Sequence, residues 1–239
     1  MAPSRTIRAR SARSGEPEGS QGRGARAHHA DVGLAFDGDA DRVFLVDEKA
    51  EDVSGSLLTA LVARAMLRQE PGAKIVHNLI CSWIVPESIR AEGGVPIRTR
   101  VGHSFIKQVM AETGAIFGGE HSGHYYFRDN YRADSGLIAA VVAMGELSSA
   151  GEPLSDVLAP FRKYFDSERS TPGSMTRKRR SSGSRRRWSD GRQDRLDGLT
   201  VEYPDWWFNV RPLEHRAPAP AERRGDDGRV ARSQDRDDA

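Results

Sequence analysis

The stretch Val32-Gly-Leu-Ala-Phe-Asp-Gly-Asp-Ala-Asp-Arg-Val-Phe-Leu-Val46 decides the fold. Two short apolar runs, Val32 to Phe36 and Val43 to Val46, bracket an acidic turn, as a pair of buried strands would. In the turn, Asp37, Asp39 and Asp41 alternate, so their oxygens can converge on one small hard cation. Gly38 permits the tight backbone, and without a cation three crowded carboxylates resist ionisation. A solvated acidic turn is the bland alternative; the apolar strands on both sides favour a metal site. A calcium EF-hand is a third reading, with Asp37, Asp39 and Asp41 at loop positions one, three and five and Glu48 at position twelve. It fails at position six, where Arg42 replaces the glycine that loop needs, and in its strand-like flanks.

Working outward, apolar positions Leu57, Leu58, Leu61, Val62, Ala65 and Met66 follow helical spacing from Ser54 to Gln69, with Ser54 or Ser56 as N-cap and Pro71-Gly72 as the stop. The alternation predicts a strand at Lys74 to Asn78, a helix at Ser82 to Glu92, a strand at Val95 to Thr99, a helix at Ser104 to Thr113 and a strand at Ala115 to Gly118. Helices near Ser135 to Ser148 and Leu154 to Tyr164 come next, jointed at Gly151-Glu-Pro153. Periodicity stops after Asp166 and returns as two strands within Leu199 to Arg211. Strands alternating with helices define an α/β fold.

The chain has 239 residues, 37% apolar content and a formal net charge of +2. That is enough for a core but low for a fully packed chain. The shortfall is local: residues 1–30, 167–195 and 213–239 are rich in Arg, Ser, Gly, Pro, Asp and Glu, and are expected to be disordered. The charge balance predicts neither a nucleic-acid partner nor a membrane-surface protein. A lone cysteine, Cys81, excludes an internal disulfide framework. No apolar run spans a bilayer, and the basic N-terminus lacks the apolar core of a secretory signal, so a cytoplasmic location is expected. Oligomeric state is left open.

Two further constellations carry chemistry. Gly118-Gly-Glu-His-Ser-Gly-His124 is a glycine-bracketed loop whose inventory suits a polyol: Glu120 accepts from paired hydroxyls, Ser122 donates and accepts, and the His124 imidazole can donate or accept a proton. Taken alone, a polar turn with a histidine satisfied by backbone is the favoured explanation. Val101-Gly-His-Ser-Phe-Ile-Lys107 is a turn entering a helix, where backbone N–H groups and His103 could face an anion, or Ser104 could simply cap the helix.

In this order and at these separations, the three motifs resemble the α-D-phosphohexomutase superfamily, in its bacterial phosphomannomutase and phosphoglucomutase branch. The resemblance covers residues 31–166 and an island at 196–212. It implies that 31–50 is the metal-loop end of domain two, 51–166 the sugar-binding αβα domain three, 167–195 a basic linker, and 196–212 a remnant of domain four. It implies a hexose phosphate substrate, mannose or glucose 1- or 6-phosphate, and Mg²⁺ on Asp37, Asp39 and Asp41. Arg42 would lie beside the transferring phosphoryl group, Glu120 and Ser122 would grip sugar hydroxyls, and Arg211 would contact substrate. His103 and His124 would take part in proton transfer or substrate contact.

The chain departs from that pattern in two places. It contains no Thr-Ala-Ser-His-Asn-Pro-like segment to carry a phosphoserine, and after Arg211-Pro212 it reads Leu213-Glu-His-Arg216 where relatives continue Ser-Asn-Thr-Glu-Pro. Back-translated with chosen synonymous codons, 213–224 encodes the relatives' loop in a neighbouring frame. The same test on Arg169 to Lys178 recovers a family-like run. The expectation is therefore a frameshifted member, nearly inactive as it stands, with Arg177-Lys-Arg-Arg180 and Arg185-Arg-Arg187 by-products of frame. A residual metal and sugar-phosphate binding module is the alternative function, and a phosphate-backbone patch the alternative reading of the basic run.

Overall fold

Near-continuous burial along Val32–Phe36 and Val43–Asp47, broken only at Gly33 and Phe44, marks them as the paired strands β2 and β3 of an antiparallel hairpin whose register, Val32 opposite Asp47 through Phe36 opposite Val43, leaves 37–42 as the connecting loop. The computed structural model describes residues 8–11, 30–165 and 188–211. Strand β1 (Arg8–Ser11) lies parallel to β2, and β4 (Asp52–Val53) closes the sheet in the order β1-β2-β3-β4. Disorder across 1–30 is thus corrected at 8–11. There the open edge of β2 offers a ladder that a chain of any composition can join through its backbone groups.

The second sheet, β6-β5-β7-β8, comprises β5 (Lys74–Asn78), β6 (Val95–Thr99), β7 (Phe117–Gly119) and β8 (Tyr125–Phe127). Strand β5 runs parallel to β6 and β7, while β8 returns antiparallel to β7. Helices α1 (Gly55–Gln69) and α2 (Ile84–Ala91) belong with one face; α3 (His103–Thr113) covers the other, where Ile106 and Met110 meet Val76 and Tyr126. Helix α1 buries Ala60, Leu61, Val62 and Ala63 in succession, because it is wedged between neighbours rather than lying on a surface. Helix α4 (Gly136–Ala150) packs on α1, and α5 (Leu154–Leu158) continues as a single 3₁₀ turn to Phe161.

Local chemistry sets the helix ends. Ser54 caps α1, its Oγ accepting from Leu57 N at 3.3 Å, and Ser135 caps α4 in the same way. Gly114 (φ 71°) and Gly151 (φ 68°) end α3 and α4 in the left-handed conformation. Two expectations are corrected. Ser104 does not cap α3, which starts one residue earlier from Gly102, at φ 131°. The helix expected to Tyr164 breaks at Ala159-Pro160, where proline removes a backbone donor.

Buried Asp47 fastens the hairpin both to the turn after β3 and to the end of α5: it accepts from Lys49 N (3.0 Å), Glu51 N (2.8 Å) and Arg162 Nη2 (2.9 Å). Glu48, far from ligating a calcium ion, accepts from Ser155 N at 3.1 Å and from the Ser155 hydroxyl.

A third sheet, β11-β10-β9, is antiparallel and consists of β9 (Arg192–Asp194), β10 (Leu199–Glu202) and β11 (Trp207–Val210). Strand β9 corrects the disorder expected through residue 195. This sheet docks on the β6 end through Arg98 with Asp194, and through Val101 N donating to Asp197 Oδ2 at 3.2 Å. The basic runs at 177–180 and 185–187, and the tail at 213–239, lie outside the described residues.

Candidate functional site

The acidic loop is held open at one end and tied at the other. Ala40, at φ 59°, turns the chain, and Arg42 folds back so that its backbone N donates to Asp37 Oδ1 (3.2 Å) and its Nε to Asp37 Oδ2 (2.6 Å). Asp37, Asp39 and Asp41 each bring one carboxylate oxygen within 4.8 Å of the others. Burial, together with the proximity of Asp37, pushes the Asp41 carboxyl above its ordinary range. Burial also disfavours Asp37 ionisation, but the Arg42 hydrogen bonds outweigh it and hold that carboxyl low. Asp41 Oδ1 is buried without a hydrogen-bond partner, its nearest cationic nitrogen being Arg42 Nε at 3.7 Å, which is already bonded to Asp37. An orphaned acceptor beside crowded carboxylates is what a hard divalent cation relieves, so these residues fit one.

Backbone contacts join this loop to two others. Gly136 N, at the start of α4, donates to Ala40 O at 3.1 Å, an approach so close that a Cβ on Gly136 would lie 2.6 Å from Arg42 O. Val43 N donates to Gly123 O at 3.2 Å, and Arg42 forms a β-bridge with His124. The loop linking β7 and β8 is therefore stapled to the acidic hairpin. Gly123, at φ 90°, gives it a conformation that other residues rarely adopt.

Within that second loop Glu120 is 3% exposed, accepting from Ser122 Oγ at 2.9 Å and from Gly102 N at 3.4 Å. Gly102 and His103 sit past the carboxyl end of β6. The connections leaving β5 and β6 go to opposite faces there, which makes the crevice where open α/β sheets bind ligands. His124 Nδ1 lies 3.1 Å from Asp134 Oδ2 and 3.7 Å from Asp41 Oδ2. His103 Nδ1 meets the Tyr126 hydroxyl at 3.0 Å and Asp134 Oδ2 at 3.4 Å, and the two imidazoles stand edge to face with centroids 4.4 Å apart. Lys107 Nζ pairs with Asp134 Oδ1 at 3.0 Å. Burial disfavours the Asp134 charge, but the Lys107 hydrogen bond prevails and keeps its carboxyl below the usual range. His103, His124 and Asp134 are also close enough to ligate a metal, yet the lysine already supplies the cation that Asp134 needs.

The structure thus brings Asp37, Asp39, Asp41, Arg42, His103 and His124 into one group, with Glu120 and Ser122 joined to it through Gly102. Arg211 stands apart: it pairs at 3.6 Å with Asp197, whose carboxylate also receives Val101 N. Asp134, Lys107 and Tyr126 are missed by motif reading. Lys107 does carry a signal, being one helical turn from His103 on the same face. Asp134 has no local signal beyond its place before the Ser135 cap.

A three-layer α/β domain with a cation-ready hairpin loop pinned against the carboxyl edge of its sheet defines the class. Residues 54–164 match the profile described as Phosphoglucomutase/phosphomannomutase, alpha/beta/alpha domain III. Similar proteins include the phosphomannomutase of Escherichia coli K12, 39% identical over 191 residues, covering 77% of this chain and 41% of that protein. The phosphomannomutase of Methanocaldococcus jannaschii is 36% identical over 190 residues, covering 80% of this chain and 42% of its own length. A solved phosphoglucomutase/phosphomannomutase family protein from Burkholderia thailandensis superposes with a TM-score of 0.64 at 32% identity, covering 77% of this chain and 40% of that one. The chain belongs to the α-D-phosphohexomutase superfamily. It spans about two-fifths of the length of the curated relatives it matches. Among the described residues, no single helix is long and apolar enough to cross a membrane.

Proposed function

We propose that this chain carries the metal loop and sugar loop of a phosphohexomutase, which moves phosphate between the 1 and 6 positions of a hexose phosphate such as mannose or glucose phosphate. The observation that carries the reading is the clasp between the two loops: Val43 N on Gly123 O at 3.2 Å, and His124 within 3.7 Å of Asp41. Mg²⁺ held by Asp37, Asp39 and Asp41 would supply charge neutralisation for a transferring phosphoryl group. Arg42 spends its Nε on Asp37, leaving its terminal guanidinium nitrogens to face phosphate oxygens. Glu120 and Ser122 orient sugar hydroxyls.

Because the Asp134 carboxylate only accepts, His124 carries its proton on Nδ1 and presents Nε2 as the base for a substrate hydroxyl. His103, bridged between Tyr126 and Asp134, takes the neighbouring substrate contact. Arg211, from the remnant of domain four, contacts the substrate when the third sheet closes. Residues 31–50, 51–166 and 196–212 are in this reading the parts of domains two, three and four, in a cytoplasmic enzyme.

Residues 1–239 by themselves carry the metal and sugar loops but no phosphoserine loop, so for this stretch alone we expect metal and sugar-phosphate binding without family-like turnover. Calorimetry with Mg²⁺ on this protein and on Asp39→Ala tests the site; equal heats refute it. Conversion of mannose 1-phosphate or glucose 1-phosphate to the 6-phosphate at family-like rates would refute the inactivity. The frameshift origin is tested by the encoding DNA, whose codons at 213–224 must read as the relatives' loop in the neighbouring frame.

A further inference from the structure

A cavity of about 360 Å³ opens between the β5–β6 edge, helix α2 and the third sheet, and it shares no lining residue with the loops described above. Its walls are of two kinds. Leu79, Pro96 and Trp207 make one side apolar, while Arg90, Arg98 and Arg192 bring guanidinium groups to the other, where Glu202 is the one lining carboxylate and is neutralised by Arg98 and Arg192. Two of those charges are spent: Arg98 on Asp194, and Arg192 on Glu202. Arg90 pairs with no carboxylate among the described residues; its one hydrogen bond goes from Nη1 to Pro86 O at 3.4 Å.

His77 adds a second unspent group. Only 5% exposed, it lines the cavity, and its Nδ1 lies 3.1 Å from Asn78 O. A carbonyl only accepts, so Nδ1 carries the proton and Nε2, without a partner among the described residues, is an acceptor. Burial lowers this imidazole to about 4, so the ring is neutral at physiological pH. Cys81, also lining the space, is pushed up to about 12 by burial and contributes a small neutral surface rather than a nucleophile.

We propose that this cavity binds a small organic anion, with its charged head on Arg90, an O–H or N–H donated to His77 Nε2, and an apolar body against Leu79, Pro96 and Trp207. The volume falls in the range of small-molecule sites, and an apolar wall with a few unspent polar groups is their usual lining. Arginine is the side chain best suited to carboxylate or phosphate oxygens. The site is separate from the hexose phosphate site, and its existence does not rest on that reading.

The test is calorimetric titration of the full chain with benzoate, phenyl phosphate and inorganic phosphate. Saturable binding of benzoate or phenyl phosphate is expected, and the tighter of the two identifies the head group as carboxylate or phosphate monoester. Inorganic phosphate, lacking a body, should bind about tenfold more weakly than phenyl phosphate. Arg90→Gln, a change at an exposed position that leaves folding intact, should weaken the organic probe about tenfold, the loss of one charge-assisted hydrogen bond. Absence of saturable binding by both organic probes overturns the proposal. So does binding unchanged in Arg90→Gln, or displacement of the probe by Mg²⁺ with glucose 1-phosphate.

Discussion

Replacing Gly136 with alanine sets two effects of similar size against each other. Gly136 opens α4, and on helix propensity alone alanine should stabilise it by about 1 kcal/mol. However, a Cβ there would meet Arg42 O at 2.6 Å, Arg42 C at 2.7 Å and Ala40 O at 2.9 Å, all of them backbone atoms of the acidic loop. Ordinary contact begins near 3.4 Å, so loop and helix must part by about 0.8 Å. The loop cannot yield cheaply, since the β2–β3 ladder and the Val43–Gly123 hydrogen bond fix both its sides. Overpacking of this kind costs about 1–3 kcal/mol, so after the propensity gain we expect net destabilisation of up to about 2 kcal/mol in urea unfolding. Magnesium requires near-ideal octahedral geometry, so the displaced carboxylates should bind it about tenfold more weakly by calorimetry. Gly145, on the exposed side of the same helix with nothing within 4 Å of its would-be Cβ, is the control. Gly145→Ala should stabilise by about 1 kcal/mol and leave Mg²⁺ binding untouched. If Gly136→Ala also stabilises the protein at unchanged Mg²⁺ affinity, the close-approach reasoning is refuted.

Three further outcomes are expected. His77 titrates at about 4 when folded against 6.5 as its ordinary value, so the unfolded chain takes up the proton first. Its stability contribution is complete above 6.5 and falls away as the pH drops towards 4, by about 2 kcal/mol at pH ~5. His77→Phe should flatten the pH dependence of unfolding by that amount, and identical slopes would contradict the burial argument. Asp134→Asn removes the charge shared by His103, His124 and Lys107, so ring-nitrogen NMR should show His124 sampling both tautomers, with a stability loss of about 1–3 kcal/mol; a single unchanged tautomer would show that Asp134 does not position it. Burial raises the Glu48 carboxyl but the Ser155 hydrogen bonds prevail and lower it below its ordinary value, giving stability that is present above that value and lost as pH falls through the folded one. Ser155→Ala should cost about 1 kcal/mol at neutral pH and less in acid, and an equal cost at both pH values would refute the lock.

How much of the fold is legible in the sequence depends on how local each cause is. The Asp37 to Arg42 hairpin and helices α1 and α4 are legible because short apolar runs, helical spacing, the Ser54 and Ser135 caps and the Gly151 stop all act within a few residues. The extra start of α3 is not, because Gly102 takes a φ of 131° where its N donates to Glu120 Oε1, eighteen residues away. Strand β8 has no clear local signature because Tyr125–Phe127 directly succeeds a glycine-rich loop and is defined by its antiparallel pairing with β7. Strands β1 and β9 fall in arginine-rich segments where composition argues for disorder, and each is defined by a ladder to a partner, β2 and β10.

The candidate site divides along the same line, and the division says how it works. Residues that would touch a cation or sugar come in compact motifs, since chemistry needs their atoms close together and short loops provide that. The residues that aim them do not. Asp134 reaches His124 from ten residues away and His103 from thirty-one, and Lys107 completes the hub from α3. Gly136 touches the acidic loop nearly a hundred residues after it. Orientation is supplied by the assembled domain, by α3 and α4 converging on loops from two different sheets. A motif in an unfolded segment would therefore carry the right groups without their geometry. Here the backbone staple from Val43 to Gly123, the Gly136 contact on Ala40 and the Asp134 hub are what turn three separate stretches of sequence into one arrangement.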